Sequence, residues 1–325
     1  MTDSEILTAL REASGRYLAG VELAQLAKLP RTAISSRIQE LRALGYEIEA
    51  SPHKGYRLQS CPDLLHADDL MSRLGKIKVV GRDIRVFKET TSTNDVAEKL
   101  AVDGVKEGVV IFAESQSKGR GRLGRRWIST PGKGLWFSVL LRPTLRPIEA
   151  TRLTIVAATA LLRAITTAGG VSAEIKWPND ILIRGKKVAG ILTELRAELD
   201  QIKYLILGIG VSVNLISTDF PDDLRKTASS LRIETGEAFD RAELASEILR
   251  ELDHDYARLC SGQFESVAEE WEERCTTIGR NVIIDLTGRT IQGRAECLDS
   301  DGALLVRTQH GRLERITGGD VKLEK

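Results

Sequence analysis

The densest concentration of chemistry in the chain is Gln116-Ser-Lys-Gly-Arg-Gly-Arg-Leu-Gly-Arg-Arg-Trp127. Lys118, Arg120, Arg122, Arg125 and Arg126 stand among Gly119, Gly121 and Gly124 with no acid between them. Glycine lets backbone amides approach an anion closely, and guanidinium groups grip phosphate or carboxylate through paired bonds. The order GxxxxGK[ST] is missing, so this is not a Walker loop. A solvated basic loop, for RNA for example, is the plainer reading. Alternating arginine and glycine directly after the apolar run Gly108–Ala113 favour an oxyanion site beside a core strand.

A second stretch runs Lys176-Trp177-Pro178-Asn179-Asp180-Ile181-Leu182-Ile183, then Arg184-Gly185-Lys186-Lys187-Val188-Ala189-Gly190. It reads as a strand end, a Trp-Pro turn bearing an amide and a carboxylate, a strand, a tight turn and another strand. Lys187 and Gly190 would then face a pocket, and Asn179 and Asp180 could meet a metal-bound phosphate. Ordinary turn-making explains Asn179 and Asp180 as well, and a solvated hairpin lysine is the plainer reading of Lys187. A third stretch, Leu205-Ile-Leu-Gly208-Ile-Gly210-Val-Ser-Val-Asn214, is an apolar strand whose two glycines share one face, leaving room for a flat ligand or for close helix packing. A fourth, Thr90-Thr-Ser-Thr-Asn94, follows the strand-like Ile84–Phe87. Its Ser92, Thr93 and Asn94 form a helix N-cap cluster whose hydroxyls could also bond a urea-like oxygen.

The elements that must position these residues follow from periodicity. Ala150 to Ala168 carries Leu153, Ile155, Val156, Leu161, Leu162 and Ile165 at helical spacing, Arg241 to Leu259 carries Leu244, Ile248, Leu249 and Leu252, and Glu265 to Glu273 forms a short amphipathic helix around Trp271. The central segment is therefore expected to be a mixed, largely antiparallel sheet flanked by helices. From about residue 275 the chain is strand-like, with turns at Thr287-Gly288, Asp301-Gly302, His310-Gly311 and Gly318-Gly319.

The first segment differs in texture. Ile6, Leu7 and Leu10 share a helical face, Val21, Leu23, Leu26 and Leu29 suggest a second helix, and Ile34, Ile38, Leu41 and Leu44 a third with Gly45 as its C-cap. Arg31, Thr32, Ser35, Ser36 and Arg37 occupy the polar face of that third helix. Tyr46–Gln59 alternates as two strands around a basic tip containing Lys54. This is a winged helix-turn-helix pattern with donors for phosphates and base edges; a plain three-helix bundle has a similar pattern.

Composition narrows the classes. Lys and Arg number 47 against 46 Asp and Glu, giving a formal net charge of +1, so attraction to nucleic acid must be local. No apolar run approaches the ~20 residues of a membrane span, and the N-terminus lacks a basic start with an apolar core, so a cytoplasmic protein is expected. Cys61, Cys260, Cys275 and Cys297, together with four scattered histidines, show no metal-site spacing. No metal site is expected.

Taken together, TSTN, Q..GRGR.GR.W, KWPNDI, the K-V-A-G-I-L stretch and GIGV.VN resemble the biotin–protein ligases, in family order and along essentially the whole chain. The helix-turn-helix makes the chain similar to the bifunctional class, in which the ligase is also the biotin operon repressor. The resemblance implies an α+β fold: a winged helix-turn-helix at 1–62, a catalytic domain of class II aminoacyl-tRNA synthetase/biotin ligase type at 63–273, and a small SH3-like β-barrel at 274–325. It places biotin at Ser92, Thr93, Asn94, Gln116, Gly119, Arg120, Gly121, Arg122, Lys187, Gly190, Gly208 and Gly210. ATP is placed at Arg122, Arg125, Lys176, Asn179, Lys187 and Asn214, with Lys187, Arg122 and Asp180 catalytic and Mg²⁺ accompanying the nucleotide. Ser212 departs from the asparagine of many family members. The implied partners are a biotin carboxyl carrier protein, operator DNA and a second copy in a ligand-promoted homodimer, with no membrane.

Overall fold

The computed structural model describes residues 3–286 and 288–324. Its elements, in order, are α1 (Asp3–Glu12), α2 (Gly20–Leu26), α3 (Arg31–Ala43), β1 (Glu47–Ser51), β2 (Gly55–Ser60), α4 (Ala67–Leu74), β3 (Asp83–Thr90), α5 (Thr93–Val102), β4 (Val109–Gln116), β5 (Gly134–Leu141), α6 (Thr151–Gly169), β6 (Glu174–Lys176), β7 (Asp180–Ile183), β8 (Lys186–Glu198) and β9 (Gln201–Ser212). After these come α7 (Leu231–Thr235), α8 (Arg241–Cys260), α9 (Phe264–Glu273), β10 (Asn281–Leu286), β11 (Arg289–Leu298), β12 (Leu304–Thr308), β13 (Leu313–Ile316) and β14 (Asp320–Leu323). The chain divides into two units: residues up to Lys76 with Asp240–Ser246, and Ile77–Phe239 with the chain from Glu247 onward.

In the first unit, Ile6, Leu7 and Leu10 of α1, Leu23 of α2, and Ile34, Ile38 and Leu41 of α3 are buried in one core. Truncating such a residue to alanine costs roughly 2–5 kcal/mol. Two expectations need correction. Leu29 lies outside α2, and Val21 and Leu26 are exposed, because a seven-residue helix has only one face to bury. Leu44 sits at the C-cap of α3 and is also exposed. Strands β1 and β2 form an antiparallel hairpin. It is pinned to the helices by a two-way bridge, Leu18 N to Tyr56 O and Tyr56 N to Leu18 O, both 2.8 Å. Gly55, at φ 103°, makes that approach possible, since a Cβ there would strike the Leu18 carbonyl. The unit continues past the expected boundary at 62: α4 packs against α1, where Arg11 pairs with Asp69 and donates to Ser72 Oγ at 2.5 Å.

The second unit is built on a seven-strand sheet in the order β3-β4-β5-β9-β8-β7-β6. Strands β3 and β4 run parallel, and the other neighbours are antiparallel. Strands β4 and β5 are buried along nearly their whole length, as expected when both faces are covered. Ala97 and Ala101 of α5 pack with Ile111, Leu140 and Ile206 on one face. Leu153 and Val156 of α6, with Leu252 and Tyr256 of α8, meet Val139, Leu141 and Leu207 on the other. Strands β10–β14 form a five-stranded antiparallel sheet, order β13-β12-β11-β10-β14, where the C-terminal barrel is expected. It falls in the same unit as the central sheet, joined for example by Thr151 Oγ1 donating to Asp301 O at 2.6 Å. Of the turn expected at Thr287-Gly288, Thr287 lies outside the described residues.

Candidate functional site

The parallel pairing of β3 with β4 brings two of the sequence motifs to one edge. Thr90 stands opposite Gln116 in register, and Ser117 N and Lys118 N donate to Thr90 O and Thr91 O at 2.9 and 2.8 Å. The TSTN segment and the basic loop therefore leave the sheet side by side. Ser92 is the N-cap position of α5 but makes no side-chain cap bond. Thr93 instead donates its amide to Gln116 Oε1 at 2.8 Å, and Gln116 Nε2 donates to Ser129 Oγ at 3.0 Å.

The basic loop is itself a small hairpin. Gly121 N donates to Arg125 O at 2.7 Å and Trp127 N to Gly119 O at 2.9 Å, around a turn with Leu123 at φ 56° and 68% exposed. Gly119 has no room for a side chain, since a Cβ would lie 2.7 Å from Trp127 O. Three of the four arginines go separate ways. Arg120 reaches back over the sheet to Asp95 Oδ1 at 2.5 Å and Glu194 Oε2 at 2.9 Å; these bonds raise its pKa, Glu194 contributing most. Arg122 donates to Asn179 Oδ1 at 3.2 Å, and burial lowers its pKa despite the charges of Asp180 and Asp320. Arg125 pairs with Asp320 at the start of β14, tying the loop to the C-terminal sheet.

The glycines of β8 and β9 lie opposite one another, Gly190 beside Gly210 and Leu192 beside Gly208. Their face is not bare. A Cβ on Gly208 would collide with the Asn94 amide, and one on Gly210 would sit 2.6 Å from the Trp127 indole nitrogen. The expected space in front of the GxG strand is thus filled by a side chain from α5 and by the end of the basic loop. Trp127 stacks edge-on to Trp136, and its buried Nε1 has no hydrogen-bond acceptor among the described residues. Lys187 Nζ lies 5.3 Å from the Trp127 ring and 2.6 Å from Asp180 Oδ1, an ion pair without a well-directed hydrogen bond. A flat apolar molecule against Gly190 and Gly210 would take the place of the indole, with an ammonium at its end.

The remaining expected residues are placed as follows. Asn179 holds the β8 edge, donating Nδ2 to Ile191 O at 2.6 Å, and Lys176 stands half-buried opposite Asp180 in register. Asn214 commits its whole amide to the backbone of Phe239, at 2.9 Å in both directions, which supports the loop around Phe239 and leaves little for a ligand. A cavity of about 200 Å³ lies on the other face of β8, lined by Ile191, Thr193, Trp177, Arg122, Gly302 and Thr317. Its β8 residues, Ile191 and Thr193, point away from the glycine face, because alternate residues of a strand point to opposite sides. Sequence reasoning missed Asp95, Ser138, Glu194 and Asp320. Two of these left a trace: Ser138 is the lone polar residue in the apolar run of β5, and Glu194 shares its strand face with Gly190 and Leu192.

In the first unit, Arg31, Thr32, Ser35 and Ser36 are exposed along the start of α3, whereas Arg37 is half-buried and bonded to Glu40 at 2.9 Å. Lys54 on the hairpin tip lies 5.6 Å from the Tyr17 ring, with Arg57 on the same ring at 4.6 Å.

Comparison with known proteins gives a consistent set of matches. Residues 86–214 match the Biotin/lipoate A/B protein ligase family, 277–323 the Biotin protein ligase C terminal domain, and 3–57 an HTH domain. The bifunctional ligase/repressor BirA of Bacillus spizizenii is 37% identical over 319 residues, covering 98% of each chain. The protein of the same name from Escherichia coli is 30% identical over 96% of this chain and 94% of its own. The structure of a biotin protein ligase from Aquifex aeolicus in complex with biotin and ATP superposes with TM-score 0.64 at 30% identity, over 75% of this chain and 99% of its own.

Proposed function

Since the chain belongs to the bifunctional ligase/repressor family of biotin–protein ligases, we propose the following division of labour among its residues. The protein is an ATP-dependent ligase that attaches biotin to a lysine of a biotin carboxyl carrier protein, and it is a biotin-responsive repressor. The observation that carries the assignment of the site is the glycine face of β8 and β9, ending in Lys187 and Asp180 and bordered by the arginine loop. Biotin lies along that face with its ring toward Asn94, Thr93 and Gln116 and its carboxylate toward Lys187. The nucleotide phosphates meet Arg122, Arg125, Lys176 and Asn179.

In the first step a biotin carboxylate oxygen bonds to the α-phosphorus of ATP, and pyrophosphate leaves with the electron pair of the broken P–O bond. All reacting groups are anionic, so neutralisation and alignment by Lys187 and Arg122 supply the catalysis. In the second step the carrier lysine's amine attacks the carbonyl of the mixed anhydride, AMP departs, and Asp180 takes up the proton. No protein nucleophile is needed. Mg²⁺ would accompany the triphosphate and screen its charge. Among the described residues no group of three or more His, Cys, Asp or Glu side chains forms a cage for it. The basic loop folds over the intermediate and excludes water.

The helix-turn-helix binds operator DNA through Arg31, Thr32, Ser35, Ser36, Arg37 and Lys54, as a homodimer that biotinyl-5'-AMP promotes. No described helix is long and apolar enough to cross a membrane, and a cytoplasmic location suits the reaction. Pyrophosphate release on adding biotin and ATP, repeated with Lys187→Ala, tests the assignment. Equal rates for both proteins would remove Lys187 from the mechanism, and no release at all would remove the ligase.

A further inference from the structure

Arg120 is not available to an anionic ligand. Its guanidinium donates from Nε and Nη2 to Glu194 at 3.1 and 2.9 Å and from Nη1 to Asp95 at 2.5 Å, so one positive charge is shared by two carboxylates. Glu194 does more than neutralise it. The same carboxylate accepts from Asn94 Nδ2 at 2.6 Å, while Asn94 Oδ1 accepts from Ser138 Oγ at 2.5 Å. With one oxygen claimed by a serine hydroxyl and the nitrogen claimed by a carboxylate, the Asn94 amide has a single orientation. Its position is fixed too, because it fills the space in front of Gly208. Ser138 Oγ continues the chain to Thr93 Oγ1 at 2.7 Å, and Thr93 contacts Gln116 at the base of the basic loop. One carboxylate on β8 therefore holds the start of α5 and the root of the loop against the same sheet face.

We infer that Glu194 is a positioning residue for biotin: it sets the orientation of Asn94 and anchors the loop through Arg120, at the end of the glycine face remote from Lys187. This rests on the reading of that face as the biotin site. With two carboxylates against one guanidinium, that end carries a net negative charge. A ligand with one carboxylate is thereby directed to lie with its neutral ring there and its acid group beside Lys187. The cluster acts on binding and register rather than on the reacting atoms, so its loss should appear in biotin affinity and spare the chemical step.

The test uses the full chain, with biotin affinity by calorimetry and pyrophosphate release as a function of biotin and of ATP. Glu194→Gln keeps the shape and removes the charge. It should weaken biotin binding and raise the KM for biotin by about tenfold or more, with kcat and the KM for ATP within about threefold of wild type. Glu194→Asp should recover part of the loss, and Arg120→Gln added to Glu194→Gln should cost little more, because both act through one contact. A milder variant, Asp95→Asn, leaves Glu194 in place and should shift biotin affinity less in the same direction. An unchanged biotin affinity in Glu194→Gln overturns the inference. So does a parallel loss in both KM values, kcat and melting temperature, which would mark Glu194 as packing only. A wild-type chain that binds no biotin would instead sink the underlying reading of the site.

Discussion

At the scale of single residues, the decisive fact is that similar side chains have dissimilar neighbours. Lys187 meets one carboxylate, Asp180, and the Trp127 ring, and Arg122 meets one amide oxygen, whereas Arg120 donates three hydrogen bonds to two carboxylates. Lys187→Ala should therefore slow biotin-dependent pyrophosphate release by roughly 10²–10³-fold, the usual cost of removing one preorganised charge stabiliser, as steady-state assays would show. Gly210→Ala tests the tight face from the other side. A methyl group at 2.4 Å from the Trp127 indole must push the ring away. Thermal unfolding should report a loss of about 1–3 kcal/mol, as for other overpacked sites, and an unaltered melting curve would show that the indole moves aside freely. The sequence placed these residues near one another without revealing which were free. The two carboxylates on Arg120 lie 25 and 74 positions away along the chain, and no spacing rule connects them. Nor could spacing say what stands opposite a glycine; the GxG pattern located a face correctly but not the Asn94 and Trp127 side chains that cover it.

At the scale of elements, the long helices were legible because each has one continuous apolar stripe. The expected spans at 150–168, 241–259 and 265–273 match α6, α8 and α9 to within a residue or so. Helix α2 was overextended because it is too short for periodicity to fix its end, and the leucine beyond it packs on the same core from outside the helix. The basic loop stood out in the sequence by its charge, but its hairpin and its hold on the C-terminal sheet did not. That hold yields a prediction. The Arg125–Asp320 pair joins an arginine side chain 65% exposed to a carboxylate 36% exposed, so Arg125→Ala should change stability by no more than about 1 kcal/mol. If the loop covers the intermediate, the same substitution should nevertheless speed escape of biotinyl-5'-AMP, as would Arg122→Gly. Biotin appearing on bystander lysines is the readout, and release kinetics equal to wild type would show that the loop does not act as a cover.

At the scale of the whole molecule, the HTH match and the ligase match fall in different units. Lys54→Ala or Arg31→Ala should weaken operator binding and lower the slope of log affinity against log salt by about one each, since each removes about one phosphate contact. Ligase turnover should stay at the wild-type rate in both variants, and a fall in turnover would contradict that separation. Sedimentation with biotin and ATP should show a larger dimer fraction than without them, and equal fractions would remove the switch. The segment boundary expected at residue 62 rests on a local break of pattern, whereas α4 beyond it is held to α1 through Arg11 and Asp69, a long-range pairing that local texture does not encode. The lone parallel pair of the central sheet also bears on how such a chain tolerates change. Because β3 and β4 point the same way, extra residues spliced into their crossover, in the turn after α5, would leave both exits opposed as two lips of one mouth. A slip of one residue between the same strands would turn every side chain at those lips to the far side. Length is thus negotiable in the connection, while phase between the strands is not.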